Sequence, residues 1–295
     1  MKRLFLAAVL LLAPAALAPA ALSAGYDDGV AAYRRGDFAA ALEALRPAAE
    51  DGDAKAQYML GIMTADGSGI PADQAEAAKW VRKAAEQGLA PAQYGVGLSY
   101  LQGIGVAKDM TEAIRWQRLA AAQGYAPAQY ELGISYRLGD GVGKDDAEAV
   151  KWYRLAAEQD FGPAQTNLGV MYRLGAGVTR DYAEALKWLG LGVLKGSPQA
   201  EFNLGDMFAK GEGVARNDIH AFALMDLAAE RYPPGPLRDD TVKTRDLVAQ
   251  RLTPEGLADA RILKEALAPH APPSNGPPSK GPADNGPAGK EPAKD

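Results

Sequence analysis

Apolar residues recur along the chain at two nested spacings. Over short stretches they fall three and four apart: Ala92, Val96 and Tyr100 lie on one helical face, which Tyr94, Gly97, Leu98 and Leu101 widen. A second stripe, Ala113, Trp116 and Ala120, has the i, i+3, i+7 spacing of another helix. Both stripes then return every 36 residues. The first is marked by Ala56, Ala92, Ala128, Ala164 and Ala200, the second by Trp80, Trp116, Trp152 and Trp188, with Leu224 in the fifth place. The pattern predicts an all-α chain built from a tandem array of helical hairpins.

Glycine, proline and acidic residues punctuate the same period. Gly61, Gly97, Gly133, Gly169 and Gly205 fall in the middle of the first helix. Glycine there costs about 1 kcal/mol against alanine, so its fivefold return predicts close approach of a partner helix that a side chain would block. A Gly-x-Gly loop follows, from Gly67 and Gly69 to Gly211 and Gly213, and ends the first helix. Asp73-x-x-Glu76, Asp109-x-x-Glu112, Asp145-x-x-Glu148 and Asp181-x-x-Glu184 resemble capping boxes for the second, and Asn217 and His220 stand in the fifth place. Pro91, Pro127 and Pro163 suit a first helical turn. Gly88, Gly124 and Gly196 close the second helix; in the third unit Asp160 holds that place, and Gly162 is expected to take over the role.

The ends depart from the period. Residues 25–53 form a shorter capping unit, in which Gly29 precedes Ala41 by 12 residues where the full repeats have 16. Five full repeats fill 54–230. Pro233, Pro234, Gly235 and Pro236 break the pattern; capping helices are expected within 231–268, one from about Asp239 to Leu252 and one from Thr253, with Leu257, Ala260, Leu263 and Leu267 on its stripe. Residues 269–295 are rich in proline, have no aromatic or branched apolar residue, and read as a disordered tail.

Composition narrows the setting. Lys2 and Arg3, the apolar run Leu4 to Leu12 and an alanine-rich stretch to Ala24 have the layout of a secretory signal peptide over 1–24, with cleavage expected after Ala20 or Ser23. The apolar run is short for a membrane span. The expected location is therefore the periplasm. There is no cysteine, so neither a disulfide nor a lipid-modified cysteine can form. The net charge of −5 becomes −7 on loss of the two signal-segment cations. That balance gives no electrostatic footprint for nucleic acid.

Candidate chemistry is sparse. His220 and His270 are the only histidines, one at a helix start and one in the tail, and neither neighbours a nucleophile turn. Without cysteine, a Cys nucleophile or a His/Cys metal site is excluded. The repeated Asp/Glu pairs are explained by capping. The stretch Gly139 to Lys144 lacks phosphate-loop spacing, and the loop aspartates lack calcium-loop spacing. No catalytic residue, cofactor or metal is expected.

The pattern Ala-Gln-x-x-Leu-Gly, Tyr, Gly-x-Gly-Val-x-x-Asp, Ala, Trp, Ala-Ala, Gly resembles the Sel1-like repeat, a relative of the tetratricopeptide repeat. The resemblance covers Ala54 to about Glu230. It implies a right-handed α-solenoid of antiparallel helix pairs, and an adaptor that binds a protein or peptide, with regulation of an envelope sensor or of polysaccharide or cell-wall assembly as the more specific expectation. By analogy with tetratricopeptide arrays, positions two before and two after the mid-helix glycine should line a concave face. They are Met59, Met63, Gly95, Ser99, Glu131, Ser135, Asn167, Met171, Asn203 and Met207. They vary between units, and Glu131, Ser135, Asn167, Met171, Asn203 and Met207 are the candidate partner-binding residues. The alternative, a cell-wall or β-lactam hydrolysing enzyme, is disfavoured: the exported relatives linked to penicillin binding are cysteine-rich, and this chain has no cysteine and no catalytic constellation.

Overall fold

A computed structural model describes residues 18–268, with side chains from residue 25 onward. The basic and apolar part of the expected export signal, His270 and the proline-rich segment lie outside the described residues. The chain divides into two compact units, Met1–Leu119 and Ala120–Asp295. Among the described residues every regular element is an α-helix. The first unit holds α1 (Ala18–Arg34), α2 (Phe38–Glu50), α3 (Ala54–Asp66), α4 (Gln74–Glu86), α5 (Ala90–Gln102) and most of α6 (Met110–Ala122). The second holds α7 (Ala126–Leu138), α8 (Asp146–Ala157), α9 (Gly162–Leu174), α10 (Tyr182–Leu194), α11 (Pro198–Lys210), α12 (Asp218–Arg231), α13 (Pro236–Ala249) and α14 (Pro254–Leu267). Within each unit successive helices pack as hairpins, and successive hairpins stack.

The mid-helix glycines are contact points. A Cβ on Gly61 would stand 2.6 Å from Val81, on Gly97 3.1 Å from Gln117, on Gly133 2.5 Å from Tyr153, on Gly169 2.8 Å from Leu189 and on Gly205 3.1 Å from Met225. Each glycine thus meets the residue 20 places on, in the second helix of its own hairpin. The short first hairpin obeys the same rule with its loop contracted. Gly29 meets Leu45, 16 places on, where a Cβ would be 2.4 Å away. The second loop glycine serves the stack instead at Gly69, Gly105, Gly177 and Gly213. A Cβ on Gly177 would lie 2.1 Å from the Asp146 carbonyl oxygen at the start of the preceding second helix.

The caps differ from the expected box in one respect. Asp145 accepts from the Ala147 and Glu148 amides, and Asp73, Asp109 and Asp181 do the same at their helices. The glutamates do not reach back. The Asp145 N–H already donates to the Tyr136 carbonyl of the preceding helix. Glu76, Glu112, Glu148 and Glu184 pair forward instead, with Lys79, Arg115, Lys151 and Lys187. Asn217 accepts from His220.

Two further expectations are corrected. Asp160 itself takes the left-handed conformation, at φ +64°, and Gly162 lies inside α9. Aspartate tolerates that region better than most side chains, so no neighbouring glycine is needed. Pro236 does not end structure but begins it, in the first turn of α13, three residues ahead of the expected start. Both α13 and α14 pack on α12. They are fixed there by Arg245 and Lys264, which both reach Asp226.

The Ala-Gln pair of each repeat is a fastener. Gln57, Gln93, Gln129 and Gln165 are buried, and each side-chain amide donates to a carbonyl eight residues back: Ala49, Ala85, Ala121 and Ala157. The side-chain oxygens of Gln57 and Gln129 accept from Gln87 and Gln159. In the fifth repeat the residue is Glu201, which when ionised cannot donate; it is fully buried and pairs with Arg231, 30 places on like the glutamine partners. Burial pushes Glu201 up to about 7 against the pull of the Arg231 guanidinium.

Candidate functional site

The candidate residues of the second unit lie on α7, α9 and α11, on the face that runs two residues either side of each mid-helix glycine. The structure sorts them by depth. Met171 packs in the core with Leu168, Tyr153 and Trp188, and Met207 with Leu189, Val170 and Ala200. Both are closed to a ligand unless the helices move. Glu131, Ser135 and Asn167 are also buried, at 7%, 8% and 7% exposure. Asn203 is half-buried and engaged: its Oδ1 accepts from Arg173 at 3.1 Å and its amide donates to the Gln199 carbonyl. In the first unit Met63 is buried and Ser99 donates to the Gly95 carbonyl. One turn beyond Ser135 and Met171, on the same faces, Leu138 and Leu174 are exposed.

The candidate residues do not include the ionic group on this face. Arg173 donates to Asn203, to Glu212 at 2.7 Å and to Asp206. Its side chain and those of both acids are largely withdrawn from solvent. Burial works against its charge, but Glu212 and Asp206 outweigh it and raise the guanidinium further. Lys210 pairs with Asp206 as well. A signal was present: Arg137 and Arg173 are 36 residues apart, Asp206 has no acidic counterpart in the earlier repeats, and Glu212 has one only in Asp140.

One repeat earlier the same register is polar and incomplete. Tyr153 replaces the Leu189 of the next repeat opposite the mid-helix glycine. Its hydroxyl is buried and closes no hydrogen bond. Arg137 and Asn167 lie within hydrogen-bonding reach of the hydroxyl and work against the burial that pushes it up to about 12. Glu131 has no cation to offset its burial, which pushes its carboxyl up to about 7.

The tryptophans act structurally. Trp116 and Trp188 are buried, Leu224 takes their place in α12, and Lys83, Arg115 and Lys187 lie over the rings of Trp80, Trp116 and Trp188. His220 stacks on Phe208 with ring centres 4.9 Å apart. Among the described residues no group of three or more His, Asp or Glu is arranged to hold a metal, and no helix is long and apolar enough to cross a membrane.

Stacked helical hairpins with a packing register that returns every 36 residues define a helical-repeat protein. The chain belongs to the Sel1 repeat family, whose model matches residues 54–89, 90–125, 126–161, 162–197 and 198–232. A Sel1 repeat protein from Oxalobacter formigenes is similar at 33% identity and a TM-score of 0.65, over 70% of this chain and 84% of that one. A protective antigen present in uropathogenic Escherichia coli strains, displaying an SLR fold, is similar at 36% identity and a TM-score of 0.67, over 71% of this chain. This chain spans about half of that antigen, 46%. No curated protein matches by sequence. Scaffolds of this family are generally non-catalytic.

Proposed function

We propose that the chain is exported to the periplasm and holds a protein or peptide on the face shared by α7, α9 and α11. The observation that carries the reading is the make-up of that face. Leu138 and Leu174 stand exposed 36 residues apart, on a face whose polar positions, Glu131, Asn167 and Asn203, change from repeat to repeat. Packing dictates neither feature, because the equivalent positions in other repeats differ. Regulation of an envelope sensor or of polysaccharide or cell-wall assembly is the setting that the family resemblance suggests. Export is supported by the basic, apolar and small-residue order of residues 1–24.

Site-specific photocrosslinking in the native host tests the binding face. A photoreactive side chain at Leu138 or Leu174 should give a discrete adduct, and one at Leu155, exposed on α8, should not. Equal adducts at all three positions would move the binding face elsewhere. Mass spectrometry of the periplasmic protein should find a mature N-terminus after residue 20 or 23; an intact Met1 would remove the export reading.

A further inference from the structure

Four repeats fasten their first helix with a glutamine, and the fifth does so with a carboxyl group. Gln57, Gln93, Gln129 and Gln165 each turn the side-chain nitrogen to the carbonyl eight residues back, on Ala49, Ala85, Ala121 and Ala157. The side-chain oxygens of Gln57 and Gln129 take a second bond, from the residue 30 places on. Glu201 holds the same position in the fifth repeat. Its Oε1 accepts from Arg231, also 30 places on, and so takes the part of the glutamine oxygen. Oε2 is left in the part of the glutamine nitrogen, buried and without a hydrogen-bond partner. Eight residues back stands the Val193 carbonyl. It accepts from the Gly196 amide, as the Ala85 carbonyl accepts from Gly88, at the place where the glutamine repeats add a side-chain donor.

We infer that Glu201 is a proton-dependent clasp between the fourth and fifth repeats: protonated on Oε2 it donates to the Val193 carbonyl as the glutamine amides do, and ionised it opposes two acceptors and loosens the joint. A carboxylic acid presents one donor beside one acceptor oxygen, the same pairing as a primary amide. Loss of the proton leaves a buried acceptor unpaired, which costs free energy. Burial favours the neutral form and outweighs Arg231, holding the carboxyl up at about 7. Among the charged groups on the elements packed against α11, Arg231 of α12 is the one that acts on Glu201. The α12 acids are taken elsewhere: Asp218 by Arg216 and Arg251, Asp226 by Arg245 and Lys264, and Glu230 by Lys264. His220 of α12 stacks on Phe208. On α10 Lys187 pairs with Glu184, and Lys195 in the turn that follows pairs with Asp160. Arg173 of α9 meets Asp206 and Glu212, and Lys210 of α11 itself also meets Asp206. The clasp concerns the joint between two repeats and does not rest on the peptide-binding reading.

Glu131 titrates over the same range, so the test uses the full chain carrying Glu131→Gln, with and without Glu201→Gln. In carbon-13 NMR, with resonances assigned through the backbone, the Glu201 carboxyl should titrate above its ordinary 4.5, near 7. The Val193 carbonyl resonance should shift with the same midpoint. In Glu201→Gln the side-chain amide donates at every pH, so the Val193 resonance should stay still. The folded-state value lies above the unfolded one, so the stability that the proton contributes is fully present below about pH 4.5 and lost as pH rises through about 7. The two chains should therefore melt alike in acid, and Glu201→Gln should melt about 5 °C or more above its parent at pH 8. A Glu201 carboxyl that titrates at or below 4.5 is a permanent ion pair with Arg231 and overturns the inference. A Val193 resonance that ignores the Glu201 titration overturns it too, because the proton then closes no bond to that carbonyl. Both readings come from the chain that keeps Glu201, so they decide the matter even if Glu201→Gln fails to fold.

Discussion

Residues 126–161 and 162–197 are two copies of one backbone plan with opposite treatment of their polar groups. In both, a glycine seats the second helix and an arginine closes the first. In the fourth repeat leucine fills the seat, and the arginine is neutralised by two acids from the next repeat. In the third, tyrosine fills the seat, its hydroxyl is unsatisfied, and a neighbouring carboxyl is buried without a cation. The repeat register fixes where side chains go, and their chemistry decides whether a position serves stability or is left for a ligand. If the contrast holds, changes to the fourth repeat should act on stability and changes to the third on binding.

The largest expected effect falls on what the two repeats share. Gly133→Leu drives a side chain into the Tyr153 ring, where even a Cβ would be 2.5 Å from two ring atoms. A ring cannot bend aside, so the cost should reach about 3 kcal/mol. A melting temperature equal to that of the parent would refute the close-packing account of these glycines.

Next comes the pair of arginines. Arg173→Ala leaves Asp206 and Glu212 with only Lys210 against Asp206, so it should destabilise by about 2–3 kcal/mol, at the low end for a buried ion pair because Glu212 keeps some contact with solvent. Arg137→Ala, with no ion pair to break, should change stability by less than about 0.5 kcal/mol. Chemical denaturation of both variants measures the contrast, and equal losses would break it.

Glu131 sharpens the contrast through pH. Its folded-state value of about 7 lies above the ordinary 4.5. The folded protein thus holds a proton that the unfolded chain releases. Stability from this group is fully present below about pH 4.5 and lost as pH rises through about 7. Glu131→Gln removes the titration. It should match the parent in acid and exceed it by about 3 kcal/mol above neutrality. A difference that does not vary with pH would show that the carboxyl finds a counter-charge in the folded state.

Period and fold were legible because packing repeats itself. The glycines at 61, 97, 133, 169 and 205 had to recur for every hairpin to close alike, and the caps Asp73 to Asp181 had to recur for every second helix to start. The candidate face was legible only as a location. Counting two residues either side of the glycine found Glu131 and Asn167. The same count took Met171 and Met207 into the core, because those positions face inward between stacked helices. Tyr153 was missed because it belongs to a mixed series, Val81, Gln117, Tyr153, Leu189 and Met225, on a second helix that the first-helix count never visits. Arg173 was missed because its partners come from the next repeat, so single-repeat periodicity cannot reveal them.

The smallest expected effect tests the one place where the third repeat breaks the backbone rule. The second helices of other repeats end at Gly88, Gly124 and Gly196, all at positive φ; the third ends at Asp160, at φ +64°. A side chain is strained there even when tolerated, so Asp160→Gly should relieve the backbone. The substitution also removes contacts, since the Asp160 carboxylate pairs with Lys195 and accepts from Gln165 at 3.2 Å. The Lys195 and Gln165 contacts hold that carboxyl below its ordinary value. Stability from them is therefore present above the unfolded value and lost as pH falls through the folded one. Near neutrality the two effects oppose each other, and the variant should melt within about a degree or two of the parent. In acid the parent carboxyl is protonated and its pairing gone, while the backbone strain remains. The variant should then be the more stable of the two, by a margin that widens as pH falls. A variant that melts below the parent at both neutral and acidic pH would mean that aspartate is preferred in this turn for its own backbone contacts, and that the left-handed end of α8 carries no strain for glycine to relieve.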